Sequence, residues 1–212
     1  LESAKLRKAK STAKRTKGQK QALLTRACAL LALLDEHGIW VFTDGSSLAN
    51  PGWAGAGVAF DKAGTGLPDL HFAIGKASNN EAELFAIGAA VEAITMARRH
   101  GMAAAQRAYV MTDSNYSLGR LQDEEREDDS GLLRDVRRAV IECRQQGPLS
   151  LIWVPGHVGV EGNERADVLA DEGATASARL HSAEPSGGSE WSFITDDQAS
   201  EIRRVAEGMA GA

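Results

Sequence analysis

Apolar and polar positions alternate along the chain in segments whose periods predict their structure. Leu23, Leu24, Ala27, Leu30, Leu31 and Leu34 fall at helical spacing and draw one apolar stripe, with Gly38 placed to end that helix. The run Ile39 to Phe42 (I-W-V-F) reads as a buried strand closed by Thr43, Asp44 and Gly45. Two more strands follow, Gly52 to Phe60 and His71 to Ile74, with a turn at Gly64 to Pro68 between them. Ser78 and Glu81 form a capping box, after which Leu84, Phe85, Ile87, Gly88, Val91, Ile94 and Ala97 mark one face of a long helix ending near Gly101.

Tyr109 to Thr112 and Leu149 to Val154 read as the last two strands. Helices lie between them, a short one after Ser114 and another outlined by Leu132, Leu133, Val136, Val140 and Ile141. A final helix follows Asn163, with Ala166, Leu169 and Ala170 apolar. The order predicts an α/β fold in which three antiparallel strands are extended by parallel ones through crossover helices, a mixed five-stranded sheet flanked by helices. Three units result: a basic arm with an amphipathic helix over 1–38, a catalytic-sized domain over 39–178, and a flexible Ser/Gly/Ala-rich tail over 179–212 with a short helix from Asp196 to Met209.

Charge changes this picture at the N-terminus. The net charge is −5, but Leu1 to Arg26 holds nine Lys or Arg against one acid, so the remainder is near −13. An acidic body with a basic arm suits a protein that meets nucleic acid, the arm contacting phosphates that the body repels. Two other readings stay open, a mitochondrial or plastid targeting segment and a solvated tail, because no acid occurs from Ser3 to Leu34. Two isolated cysteines, Cys28 and Cys143, exclude a disulfide framework and a zinc site of the usual spacing, which fits a reducing intracellular compartment. No segment reaches the roughly 18 apolar residues of a membrane-spanning helix.

Four short motifs carry chemistry. Asp44 stands where a buried strand meets Gly45, a position that fixes an acid yet leaves it open, although Asp-Gly is also a common turn. In Ser78-Asn79-Asn80-Glu81-Ala82-Glu83, Glu81 serves the cap and Glu83 is free to act as a ligand, with the helix dipole as its plainer explanation. Asp113 again ends an apolar strand and doubles as a potential helix cap. His157 lies in a glycine-rich loop leading into the helix that carries Asn163 and Asp167, one turn apart.

Taken in order, T-D-G-S with N-P-G behind it, N-N-x-x-E-L, T-D-S and G-H-x-G-x-x-G-N-E-x-A-D resemble the ribonuclease H family from about Ile39 to Ala178, most of all its retroviral and retrotransposon branch. The resemblance implies a ribonuclease H-like fold and an endonuclease that hydrolyses the RNA strand of an RNA/DNA hybrid, leaving 5'-phosphate and 3'-hydroxyl ends. It implies that Asp44, Glu83, Asp113 and Asp167 hold two Mg²⁺ or Mn²⁺ ions. Physical chemistry agrees, since converging carboxylates repel unless cations neutralise them, and hard oxygen ligands select such cations. His157 matches a loop histidine that assists proton transfer or product departure. Asn50, Ser78, Asn79, Asn80, Asn115 and Asn163 match positions that contact the hybrid.

The segment Gln122 to Asp129 (Q-D-E-E-R-E-D-D) departs from relatives that carry a basic protrusion there, so hybrid affinity is expected to come from the basic arm or from a larger polypeptide or nucleoprotein complex. The rival reading is a catalytically silent structural component of such a complex. Loss of an acid would mark it, and all four acids are present.

Overall fold

The computed structural model describes residues 15–61, 66–102, 106–127, 129–180 and 193–210. The basic arm ahead of Arg15, the first two residues of the expected Gly64 to Pro68 turn and residues 181–192 lie outside them. The described residues form α1 (Lys17–Leu31), β1 (Ile39–Ser47), β2 (Gly52–Phe60), β3 (Leu70–Ala77), α2 (Asn79–Arg99), β4 (Ala108–Thr112), α3 (Asn115–Gln122), α4 (Gly131–Gln146), β5 (Leu149–Trp153), α5 (Glu161–Arg179) and α6 (Asp196–Ala210). The strands make one sheet in the order β3-β2-β1-β4-β5. β1, β2 and β3 pair antiparallel, while β4 and β5 add in parallel. This is the mixed five-stranded sheet that the order of elements predicts.

Helices cover both faces. On one, α2, α4 and α6 enclose the main core, with Ile39, Val41, Val58, Ile87, Ile94 and Val136 among its buried residues. On the other, α5 lies against β1, β2 and β3. The buried face of α5 is Gly162, Asn163, Ala166, Ala170, Gly173, Ala174 and Ser177, a stripe of small residues. It meets glycines on β2. A Cβ on Gly55 would stand 2.0 Å from the Ala174 nitrogen and one on Gly57 would stand 2.1 Å from the Ala166 carbonyl oxygen, so neither strand position accepts a side chain. Arg165 reinforces this seat by donating to Asp69 at 2.6 Å and to the Phe60 carbonyl at 2.9 Å.

Several expectations need correction. β1 does not close at Thr43 to Gly45 but continues to Ser47, because β2 goes on pairing with Asp44 through Ser47 after the parallel partner β4 has ended at Thr112. The N-terminal helix ends at Leu31 rather than at Gly38, and it begins with a Thr16/Gln19 capping box. Gly38 instead admits the Tyr109 ring, which a Cβ would meet at 2.6 Å. Leu30 and Ile141, read as core-facing, are exposed. α5 starts at Glu161, ahead of Asn163. Residues 193–210 do not behave as a flexible tail: Phe193, Ile194, Ala199, Ile202 and Ala206 are buried in the main core, and Phe193 packs edge-on against Phe85. No helix among the described residues is long and apolar enough to cross a membrane.

Candidate active site

The parallel pairing of β1 with β4 puts Thr43 opposite Thr112, so the next residues, Asp44 and Asp113, emerge side by side. They open into the crevice beyond the carboxyl ends of the parallel strands, where open α/β sheets place their ligands. Glu83 comes to them from the first turns of α2. Its approach depends on Gly45, where a Cβ would stand 2.2 Å from the Glu83 nitrogen. Carboxylate oxygens of Asp44, Glu83 and Asp113 lie within 4.8 Å of one another. Asp167, on α5, lies close enough that its charge raises both Asp44 and Asp113. It groups with His157 and Glu164, whose ligand atoms also fall within 4.8 Å, and His157 Nδ1 is 3.6 Å from Asp167 Oδ2.

These carboxyl groups are strained electrostatically. Asp44 is 5% exposed and its pKa is pushed up to about 8, first by burial and then by the charge of Asp113, against a hydrogen bond that its Oδ1 accepts from Gly45 N at 2.8 Å. Burial also raises Glu83 well above the carboxylate range, with Asp44 adding to it. Its Oε2 is enclosed and has no hydrogen-bond partner among the described residues. Burial raises Asp113 too, offset in part by the nearby Asn163 amide and by His157. An enclosed acceptor among acids that repel one another fits a cation, which would relieve both costs together.

The capping box of α2 forms as expected, the Ser78 nitrogen donating to Glu81 Oε2 at 2.8 Å and the Glu81 nitrogen to Ser78 Oγ at 3.3 Å. Glu81 therefore has a structural task and Glu83 does not. Asn50 Oδ1 accepts from the Asn79 nitrogen at 3.0 Å, joining the β1–β2 turn to the start of α2. Asn79, Asn80 and Asn115 are exposed at helix N-termini and Ser78 is half-buried. Asn163, expected at a hybrid-contacting position, is 1% exposed and lies beside Asp113 without a hydrogen bond of ordinary geometry among the described residues.

Two further residues shape the site. Glu164 Oε1 accepts from the Gly159 nitrogen at 2.9 Å and so ties the His157 loop to α5. Gly156 lies against Asp113, where a Cβ would meet Oδ2 at 1.7 Å. Only the G-H-x-G-x-x-G-N-E spacing signals them in sequence. The acidic segment after α3 is less repulsive than its letters imply, because Asp129 is buried and paired with Arg120 and Arg137 and accepts from the Arg126 nitrogen at 3.1 Å.

An antiparallel trio extended by two parallel strands, with one acid inside β1 and another just after β4, defines a class of α/β fold. Within it, the RNase H family model matches residues 36–175. The Ribonuclease H of Bordetella bronchiseptica is 30% identical over 152 residues, covering 67% of this chain and 92% of that protein, and the enzyme of Bordetella pertussis matches to the same extent. LC11-RNase H1, solved in complex with an RNA/DNA hybrid, is 26% identical with a TM-score of 0.53, covering 66% of this chain and 99% of that one. The N-terminal RNase H domain of rv2228c from Mycobacterium tuberculosis is 26% identical with a TM-score of 0.52, covering 68% and 100%. This chain belongs to the RNase H family.

Proposed function

We propose that the chain is an endoribonuclease that hydrolyses the RNA strand of RNA/DNA hybrids with two divalent cations, leaving 5'-phosphate and 3'-hydroxyl ends. The observation that carries this reading is the trio Asp44 within β1, Glu83 on α2 and Asp113 just after β4, whose carboxylate oxygens gather within 4.8 Å in an RNase H fold. With Asp167 they supply hard oxygen donors suited to Mg²⁺ or Mn²⁺. When bound, the two ions would supply Lewis-acid activation of the attacking water and neutralise charge on the departing oxygen.

The chain's own residues do the rest. Burial and mutual repulsion raise the pKa values of Asp44, Glu83 and Asp113, a cost that a bound cation would relieve by favouring their charged forms. His157, exposed and 3.6 Å from Asp167, is placed to exchange protons with solvent as the P–O3' bond breaks and the 3'-oxygen departs as a hydroxyl. Exposed amides at the starts of α2 and α3 suit contacts to sugars and phosphates that ignore base sequence. Reading the 2'-hydroxyl distinguishes the RNA strand. Affinity beyond these contacts falls to the basic N-terminal arm or to a larger polypeptide or nucleoprotein complex.

The chemistry of the product ends tests this reading. RNA fragments released from a hybrid should carry 3'-hydroxyls that a polymerase extends, and Asp113→Asn should release none. Fragments ending in 2',3'-cyclic phosphate would mean attack by the RNA's own 2'-hydroxyl and would overturn it.

A further inference from the structure

Helix α1 lies ahead of residues 36–175, the part that matches the family, yet it packs against the loop that carries His157. We propose that α1 is a brace that sets the pose of this loop, with Arg15 and Leu24 as positioning residues for His157. The catalytic consequence rests on the hybrid-cleavage reading above, whereas the mechanical one does not.

Three contacts join the helix to the loop. Arg15 Nη1 donates to the Gly156 carbonyl at 2.9 Å, across 141 positions of sequence. Leu24 Cδ2 lies 3.5 Å from where a Cβ on Gly159 would stand. Ala27, with Leu23 and Leu24 beside it, shares a hydrophobic cluster with Val158 and Val160, which follow the histidine. The loop is thus gripped just before and just after His157, while the imidazole itself stays exposed.

The loop needs such a grip. His157 has φ of 55°, a left-handed backbone that residues other than glycine keep only where their surroundings over-determine it. From the α5 side it is held by the Gly159 N–H to Glu164 bond, and beneath it Gly156 abuts Asp113. Those contacts fix the floor of the loop. Helix α1 supplies the opposing wall, so its seating decides where the imidazole stands relative to Asp167 and Asp113.

The test uses the full chain with Arg15→Ala, Leu24→Ala and, as a control, Gly18→Ala, whose Cβ would meet nothing within 4 Å. Hydrogen exchange of the 156–160 amides, without metal or substrate, should be about fivefold faster or more in both positioning variants and unchanged in the control. Unchanged exchange in the loop overturns the proposal, whether or not the protein cleaves hybrids. In steady-state cleavage, Leu24→Ala should lower kcat about threefold or more with KM for the hybrid preserved, and should add nothing in a His157→Ala background. A loss that adds fully to that of His157→Ala, or a raised KM in Arg15→Ala that persists in that background, assigns α1 to general stability or to direct phosphate contact and overturns the brace. If the unmodified chain cleaves no hybrid at all, the proposed function fails while the exchange result still decides the brace.

Discussion

A single methyl group added to Gly57 should damage both the fold and the site. Gly57 pairs with Asp44 across the β1–β2 ladder, and its Cβ would stand 2.1 Å from the Ala166 carbonyl oxygen and 2.6 Å from the Ala170 nitrogen. Ordinary contact begins near 3.4 Å, so helix and strand must part by about 1.3 Å. Both opposing atoms are backbone, and no side chain can rotate to relieve them. The cost of Gly57→Ala should therefore sit at the upper end of overpacking, about 3 kcal/mol. For a chain of this size that lowers Tm by roughly 6–12 °C. Asp167 follows Ala166 directly, so the shift also carries that carboxylate away from Asp44, and a displacement of about 1 Å at a reacting centre costs on the order of a hundredfold in rate. Urea denaturation and single-turnover cleavage measure the two effects. A loss below about 1 kcal/mol with cleavage intact would refute the seating of α5 on β2.

The remaining predictions concern the tail, the carboxylates and an ion-pair knot. Ile202→Ala removes a fully buried side chain from α6 and should cost about 2–5 kcal/mol by urea denaturation; a change under about 0.5 kcal/mol would mean that α6 does not contribute to the core. Because the folded state holds the Asp44 proton up to about pH 8 whereas an ordinary Asp releases it near 3.8, metal-free stability should fall as pH rises across that window and level off above it. Asp44→Asn should flatten that decline and Mg²⁺ should raise Tm more at pH 8 than at pH 5, so a Mg²⁺ effect independent of pH speaks against the site. Asp129, held below its usual pKa first by the Arg126 backbone N–H and further by Arg137 and Arg120, acts in the opposite sense. Its contribution is present above the ordinary carboxylate pKa and is lost as pH falls, so Asp129→Asn should lower Tm at pH 7 more than at pH 3.

Much of this was legible in the residue order, and what was not depends on partners distant in sequence. Strand β2 could be read from its Gly/Ala run with its full bounds, and Glu81 separated itself from Glu83 through the capping box. The end of β1 could not be read, because Asp44 to Ser47 stay in the sheet only through pairing with β2. The N-terminal helix was visible, but not the surface it covers, since Ala27 is buried in a cluster with Val158 and Val160, more than a hundred residues on. Composition pointed to a loose C-terminal tail. Yet Phe193 and Ile202 fill a gap over α2, and Gly88 admits the Phe193 ring, which a Cβ would meet at 2.6 Å. At the site, motif letters marked the acids and His157, while the burial of Asn163 and the tether from Glu164 follow from how α5 is seated.

The central claim is hybrid-selective, cation-dependent RNA cleavage, and one side-by-side assay addresses it most directly. The full chain is incubated with a strand-labelled RNA/DNA hybrid and with RNA and DNA duplexes of the same sequence, in Mg²⁺, in Mn²⁺ and in EDTA, beside Asp113→Asn. The account predicts that only the RNA strand of the hybrid is cut, only with a divalent cation, and not by the variant. Folded protein that leaves the hybrid intact in both metals, or cuts it equally well in EDTA, would contradict it.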